Sequence, residues 1–210
     1  MAKPYSGSWA THLGALIACV NKTSKGDLIS KCCQADHNPF KEEGKEFCMK
    51  CGNECEIFWK DPGDVLELGM GLFSTPYLHY ACTIGKRKLL SLENDPGWHK
   101  MFKRSDFMHF LYENDYHKLE LVDNFEESPL IDKEWDVVLV DQTPDGSRKE
   151  TARKLANKAK YIILHDSNER HEKNYHYSEI YPLFKYKRIW TQDDRHATVL
   201  SNFNDLEDLW

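Results

Sequence analysis

The sequence DVLELGMGLFSTP occupies residues Asp64–Pro76 and indicates the fold of the chain. Its apolar start, Val65–Leu68, is short and ends at two glycines, which is typical of a buried strand followed by a tight turn. Thr75 and Pro76 then predict the start of a helix, with Thr75 as the N-cap and Pro76 in the first turn. The stretch therefore predicts a strand, a glycine turn and a helix in immediate succession.

Apolar strands and amphipathic segments alternate through the rest of the chain. Further strands are expected at Lys88–Leu92, Lys118–Val122, Asp136–Val140 and Tyr161–Leu164, and a final hairpin at Phe184–Trp190 and Ala197–Leu200. Helices are expected after a Ser8 cap with Leu13, Leu16, Ile17 and Val20 as an apolar stripe, after Asp95-Pro96, and from a capping box at Ser147–Glu150 to about Lys158. This order predicts an α/β fold with a mostly parallel seven-stranded sheet and an antiparallel C-terminal hairpin, in one domain over residues 1–210.

An acidic residue, Glu93, closes the second predicted strand, 24 positions after Gly69. Carboxyl ends of parallel strands meet at one edge of a sheet, so Glu93 and the glycine turn should lie close together. Glycines allow a ligand to approach the backbone, and a carboxylate can accept hydrogen bonds from both hydroxyls of a ribose. The alternative is that Gly69 and Gly71 serve only a tight turn.

The acid Glu67, two positions before the first glycine, gives an order that resembles motif I of the class I S-adenosylmethionine (SAM)-dependent methyltransferases. The resemblance covers about Asp64 to Phe203 and implies a Rossmann-like fold. In that family the glycine turn approaches the methionine part of SAM, and the acid after the second strand holds the ribose. By this resemblance Asp123 lies near the adenine, and the cofactor site comprises Glu67, Gly69, Gly71, Ser74, Glu93, Asn94, Asp123 and Asp141.

The fourth and fifth predicted strands end in Asp141 and in His165-Asp166, which are expected to face a methyl acceptor. His165 is a candidate general base because imidazole titrates near neutrality. A second possibility is magnesium on Asp141, Asp166 and Asn168, similar to catechol-type O-methyltransferases, although Ser167 separates two of these ligands. A third is that the carboxylates only cap loops.

Other methyltransferase signatures are absent from the sequence. Residues 141–144 read DQTP, unlike the signature of amino-directed DNA methyltransferases, and there is no Pro-Cys nucleophile pair. A SAM-dependent O-methyltransferase acting on a small molecule or sugar is therefore the default hypothesis. The alternatives are a non-catalytic protein whose cysteine loop binds a partner and an enzyme that cleaves SAM.

Five of the seven cysteines lie between residues 32 and 55. Cys48-Met49-Lys50-Cys51 has the spacing of a zinc knuckle, and the polar segment around it predicts a zinc-ribbon-like insertion at residues 30–60 with a structural ion. Cys55 is expected to supply a ligand, the choice between Cys32 and Cys33 stays open, and His37 is a weaker substitute. The alternative is a set of free thiols or a redox pair.

The net charge of −6 argues against a general nucleic-acid footprint, although a nucleic-acid partner is not excluded. The chain has no apolar run long enough for a membrane span and no apolar stretch at residues 1–5, so a cytoplasmic location is expected. His12 and His79 are interpreted as surface or packing residues. The sequence leaves the oligomeric state open.

Overall fold

The computed structural model describes residues 12–25, 28–30, 32–33, 37–42, 45–59, 61–103, 114–192 and 195–210. The predicted Ser8 cap lies outside these residues. The chain forms two compact units, one from the described residues of Met1–Lys22 and Gly63–Trp210 and the other from those of Thr23–Pro62. Within the described segments, every helix is too short or too polar to cross a lipid bilayer.

The larger unit contains the seven-stranded sheet that the sequence predicts. Its strands are β5 (Val65–Leu68), β6 (Leu89–Glu93), β7 (His117–Leu121), β8 (Trp135–Val140), β9 (Ala159–Leu164), β10 (Tyr186–Trp190) and β11 (Ala197–Ser201). They lie in the order β10-β11-β9-β8-β5-β6-β7, and β11 runs antiparallel to both of its neighbours. The strand order reverses direction between β5 and β8, and ligands of open α/β sheets bind outside the carboxyl ends of strands at such a point.

Side chains alternate between two apolar cores on the two faces of the sheet, as the strand period of two requires. Leu66 and Val138 belong to the core that includes Ala152, whereas Val65 and Val137 belong to the core that includes Leu16 and Leu78. All residues of β8 are buried. The central strands are therefore covered on both sides, which explains their continuous apolar sequences.

In the described residues the α-helices that accompany the strands are α1 (Leu13–Lys22), α2 (Ser74–Ile84), α3 (Pro96–Lys103), α4 (Ser147–Leu155) and α5 (Glu169–Tyr175). Helix α3 begins as predicted, because Asp95 Oδ1 accepts a hydrogen bond from the Trp98 backbone amide at 2.7 Å. In α1 the apolar stripe differs from the prediction: Ile17 is exposed, and Ala15 and Cys19 are buried in its place.

Two predicted helix caps are wrong. The N-cap of α2 is Phe73, and the Thr75 hydroxyl instead donates to the buried Glu67 carboxylate. The N-cap of α4 is Gly146, and the Ser147 hydroxyl donates to the Pro144 carbonyl. Helix α2 thus begins two residues, and α4 one residue, before the predicted start, so both hydroxyls lie within the first turn of their helices.

The smaller unit contains four short strands, β1 (Leu28–Ser30), β2 (His37–Glu42), β3 (Lys45–Cys48) and β4 (Ile57–Trp59). β1 pairs with β4 and β2 pairs with β3, both antiparallel. This unit runs over Thr23–Pro62, slightly longer at each end than the insertion expected at residues 30–60.

Candidate functional site

The glycine turn after β5 is held tightly against the end of β8. Gly69 has a φ of +86°, and a Cβ added there would lie 2.6 Å from the Asp141 carbonyl oxygen. A side chain at this position would thus face both an unfavourable backbone conformation and a collision with backbone atoms. Gly71 is restricted by a side chain, since its added Cβ would lie 2.7 Å from Ser74 Oγ.

The carboxylate of Glu93 is fixed beside this turn. One oxygen accepts the backbone amide of Met70, which stands between the two glycines, at 3.0 Å. The other accepts the amides of Asn94 and Asp95 at 2.8 and 3.0 Å. Each carboxylate oxygen can accept more than one hydrogen bond, so Glu93 retains acceptor capacity for a ligand while these amides hold it in place.

Glu67 lies beneath the turn and is fully buried. Its oxygens accept hydrogen bonds from the hydroxyls of Thr75 at 2.9 Å and Ser91 at 2.6 Å, and Thr75 Oγ1 in turn accepts the Gly71 amide at 2.9 Å. Burial raises the pKa of Glu67 to about 7, although the hydrogen bonds oppose this. Glu67 therefore supports the turn from below, and the cavity described below is not lined by it.

A chain of buried polar groups continues from Glu67. Ser91 Oγ lies 3.0 Å from His117 Nε2, and His117 Nδ1 lies 2.9 Å from His79 Nδ1. Burial, with a contribution from His79, lowers the pKa of His117 to about 3. His79, expected from the sequence to be a surface or packing residue, thus belongs to a hydrogen-bonded chain that begins at the glycine turn.

Replacing Glu67 with glutamine is expected to change the pH dependence of stability. A buried carboxyl with a raised pKa stabilises the fold fully below its ordinary pKa of 4.5, and this contribution is lost as the pH rises through about 7. Glutamine stays neutral, so the free energy of unfolding of Glu67→Gln minus that of the unmodified protein should increase by on the order of 3 kcal/mol between about pH 5 and about pH 8. Urea unfolding of both proteins at the two pH values measures this, and an unchanged difference would contradict the burial of an ionisable Glu67.

At the ends of β8 and β9, Asp141, His165 and Asp166 form one connected group. His165 Nδ1 lies 2.7 Å from Asp141 Oδ1, and His165 Nε2 lies 3.4 Å from Asp166 Oδ1. Each carboxylate also has an arginine partner, Arg148 at 3.0 Å from Asp141 and Arg195 at 3.2 Å from Asp166. Burial alone would raise the pKa of Asp141, but the attraction of His165, their hydrogen bond and Arg148 hold it below its usual value.

This arrangement gives the magnesium hypothesis no support. Asn168 Oδ1 is 2.7 Å from His171 Nδ1, while Asp141 and Asp166 are paired as described above. Among the described residues, one donor atom each from Asp141, His12 and His165 lies within 4.8 Å of the other two, and Asp166 does not belong to this group. Two imidazoles are not the oxygen ligands that magnesium prefers.

His12, the residue directly before α1, is buried against the Asp141–His165–Asp166 group. Its ring meets that of His165 edge to face, with the centroids 4.5 Å apart. Only 2 % of the residue is exposed, and neither ring nitrogen has a hydrogen-bond partner in the described part of the chain. Burial, reinforced by His165, lowers the pKa of His12 to about 4, so the ring is neutral at pH 7.

These groups surround one cavity of about 560 Å³, a size typical of small-molecule sites. Its lining includes Gly69, Gly71, Ser74, Glu93, Asp141, His165 and Asp166, all named from the sequence. Three other cofactor candidates are not part of the lining: Glu67, as described above, Asn94 and Asp123. Asn94 instead donates to the Thr143 carbonyl at 2.8 Å, and Asp123 is exposed.

The lining also includes residues that the sequence did not indicate as site residues, among them His12, Trp98, Thr143 and Arg195. Trp98 follows the Asp95-Pro96 helix start, and its indole nitrogen donates to the Met70 carbonyl. Its place in the first turn after β6 was a usable signal, because that turn faces the glycine loop. His12 and Arg195 are remote in sequence from the motif and carried no comparable signal.

In the smaller unit, four cysteines converge. The sulfur atoms of Cys32, Cys33, Cys48 and Cys51 lie within 4.8 Å of one another, and Cys55 is outside this group. Cys32 Sγ and Cys51 Sγ are 3.6 Å apart, close to the separation of about 3.8 Å expected for two thiolates on one tetrahedral zinc ion. Hydrogen bonds with Cys51 and Cys48 raise the pKa of Cys33 to about 12.

Neither a family model nor a curated protein matches this chain. Solved structures do resemble it. A putative O-methyltransferase from Klebsiella pneumoniae matches with a TM-score of 0.51 and 14 % identity, over 68 % of this chain and 74 % of that one. The METTL16 MTase domain matches with a TM-score of 0.48 and 15 % identity, over 68 % of this chain and 60 % of its own length. A putative caffeoyl-CoA O-methyltransferase from Staphylococcus aureus matches with a TM-score of 0.49 and 15 % identity, over 66 % of this chain and 76 % of that one.

The chain therefore has the Rossmann-like fold of class I SAM-dependent methyltransferases, as its sequence resemblance implied. At these identities the likeness concerns the fold. It spans less than two thirds of the METTL16 domain.

Proposed function

We propose that this protein is a SAM-dependent methyltransferase that acts on an oxygen atom of a small molecule or sugar. The observation that carries the proposal is that one cavity joins the glycine turn, the fixed Glu93 carboxylate and the Asp141–His165–Asp166 group. The first two suit an adenosyl ligand, and the third offers acid–base groups at the neighbouring strand ends.

The groups that line the cavity suit the functional groups of SAM. Glu93 would accept hydrogen bonds from the ribose hydroxyls, because it keeps free acceptor capacity beside the glycine turn. The glycine turn and Ser74, the first residue of α2, line the cavity, and the N-terminal end of a helix favours a carboxylate. Bound SAM supplies an electrophilic methyl group with a good leaving group.

On the acceptor side, the chain has to remove or hold a proton. With Nδ1 of His165 donating to Asp141 Oδ1, the nitrogen that would take the acceptor's proton is Nε2, which lies 3.4 Å from Asp166 Oδ1. Asp141 would then act as the group that orients His165. This pairing is the reason for preferring an acceptor whose hydroxyl must be deprotonated.

Incubation with SAM carrying an isotope-labelled methyl group tests the proposal. Parallel reactions contain phenolic and sugar hydroxyl compounds, RNA, or no acceptor, and mass spectrometry identifies the labelled product. Label on an oxygen of a small molecule, with S-adenosylhomocysteine as the second product, is expected. Label found only on RNA would mean that the acceptor is RNA and not a small molecule. Cleavage of SAM without an acceptor would mean that the protein cleaves SAM and does not transfer its methyl group. No turnover in any of these reactions would favour a non-catalytic role.

We also propose that the four-cysteine group holds one structural zinc ion. Cys48→Ser is expected to lose this zinc, measured as metal per protein chain, and to expose the Thr23–Pro62 unit to limited proteolysis, because a polar segment of this kind depends on its metal. Cys55→Ser is the matched control and should retain the zinc, since Cys55 lies outside the group. Loss of zinc from Cys55→Ser with retention in a Cys32 or Cys33 variant would instead favour the ligand set expected from sequence.

A further inference from the structure

His12 and His165 lie together with Asp141 in the cavity, an arrangement that acid–base chemistry does not require. One donor atom each from His12, Asp141 and His165 lies within 4.8 Å of the others. Two donor atoms on one ion, with bonds of about 2.1 Å, are at most about 4.2 Å apart, so small side-chain rotations would complete a ligand set.

We propose that His12, Asp141 and His165 form a second metal site, which binds a divalent transition-metal ion in the cavity. The decisive residue is His12. An imidazole with 2 % exposure and no hydrogen-bond partner for either nitrogen among the described residues has lost its water without compensation. A metal bond to one of these nitrogens would provide that compensation.

The ligand types select the class of ion. Imidazole suits zinc, iron, nickel and copper, whereas magnesium prefers oxygen ligands and water. Two imidazoles and one carboxylate also leave coordination positions open, as in catalytic rather than closed structural sites. All three residues line the cavity, so the open positions would be accessible to a ligand within it.

The surroundings hold Asp141 and His165 in place for this role. Arg148 donates to the backbone carbonyls of Gln142 and Asp141, and its Nη2 lies 3.0 Å from Asp141 Oδ1. The His165 carbonyl accepts the Tyr177 hydroxyl at 3.1 Å. Such outer contacts orient the ligands of a metal, although the arginine charge beside Asp141 would weaken the affinity for a cation.

The role of the ion, though not its binding, rests on the proposed methyltransferase function. With the ion bound, His165 is a ligand and no longer the base. An acceptor hydroxyl at an open position would lose its proton more readily, because a bound divalent ion lowers the pKa of a coordinated hydroxyl. Oxygen acceptors that can bind a metal would then be preferred.

Equilibrium dialysis of the metal-stripped full chain against Co²⁺, followed by metal analysis, tests the site. His12→Asn should bind one equivalent less than the unmodified protein, whereas His176→Asn, an exposed histidine with a φ of 52° that asparagine tolerates, should bind the same amount. Excess Mg²⁺ should displace none of this equivalent. Equal Co²⁺ content in folded His12→Asn and in the unmodified protein would overturn the proposal.

A second measurement covers the case in which His12→Asn does not fold. Anomalous diffraction from crystals of the unmodified protein with Co²⁺ should show an ion bonded to His12, Asp141 and His165, and density at the cysteines alone would overturn the site. Titration of the same preparation with SAM separates the two proposals. Co²⁺ at this site without SAM binding would contradict the methyltransferase function and support the metal site. SAM binding without Co²⁺ at this site would support the methyltransferase function and contradict the metal site.

Discussion

Glu93→Gln is expected to weaken SAM binding by roughly 100-fold while the protein stays folded. A hydrogen bond to a charged acceptor contributes about 1.5–3 kcal/mol, and two such bonds to ribose hydroxyls would lose their charge in this variant. Every 1.4 kcal/mol corresponds to about a factor of ten in affinity. The substitution also weakens the hydrogen bonds that hold the turn. The Met70 amide donates to one carboxylate oxygen and the amides of Asn94 and Asp95 donate to the other, whereas a glutamine side chain has a single acceptor oxygen.

Calorimetric titration with SAM measures this loss, with circular dichroism as the check on folding. The matched control is Glu120→Gln, an exposed acid on the adjacent strand β7 that is not part of the cavity lining. It should bind SAM like the unmodified protein. Unchanged affinity in Glu93→Gln would mean that the carboxylate only supports the turn and holds no ligand.

Gly69→Ala is expected to reduce both stability and SAM binding. A non-glycine residue in a strained backbone region costs about 1–3 kcal/mol, and an added methyl group in a packed region costs a similar amount. Together these give a loss of about 2–6 kcal/mol in the free energy of unfolding. The added Cβ meets backbone of Asp141 and Gln142, which cannot rotate away as a side chain would. The displaced turn should also lose its contact with SAM.

Gly146→Ala is the control for this prediction. Gly146 has a φ of −65°, and an added Cβ meets no heavy atom of the described residues within 4 Å. Its free energy of unfolding and its SAM affinity should both stay close to those of the unmodified protein. Denaturant unfolding and calorimetry on both variants give the comparison. If Gly69→Ala were as stable as Gly146→Ala, the turn would not be packed as described.

The strands were predictable because each central strand is buried on both faces, which leaves continuous apolar sequences such as Val137–Val140. The acid that closes β6 was predictable for a related reason, since parallel strand ends meet at one edge. Helix starts were harder. Thr75 and Ser147 have side chains typical of a cap, but both helices begin before these residues. In the folded chain Thr75 Oγ1 accepts the Gly71 amide, and Ser147 Oγ accepts the Gln142 side chain.

The remaining parts of the site depend on contacts between distant segments. His12 reaches the cavity because α1 packs on the face of the sheet that holds Val137 and Leu139, and no local pattern around His12 indicates its neighbours. In the cysteine unit, spacing identified Cys48 and Cys51, whereas the placement of both Cys32 and Cys33 in the group follows from how the loops fold together. Local patterns thus predicted positions along strands and motifs, and not the partners that the fold brings to them.

Calorimetric titration of the unmodified protein with SAM, and separately with NAD⁺ as a second ribose-containing ligand, tests the central claim most directly. One SAM molecule should bind per chain, with no binding of NAD⁺, because the cavity beside Glu93 and the glycine turn is assigned to an adenosyl sulfonium. Folded protein that takes up no SAM, or that binds NAD⁺ more tightly, would contradict the assignment.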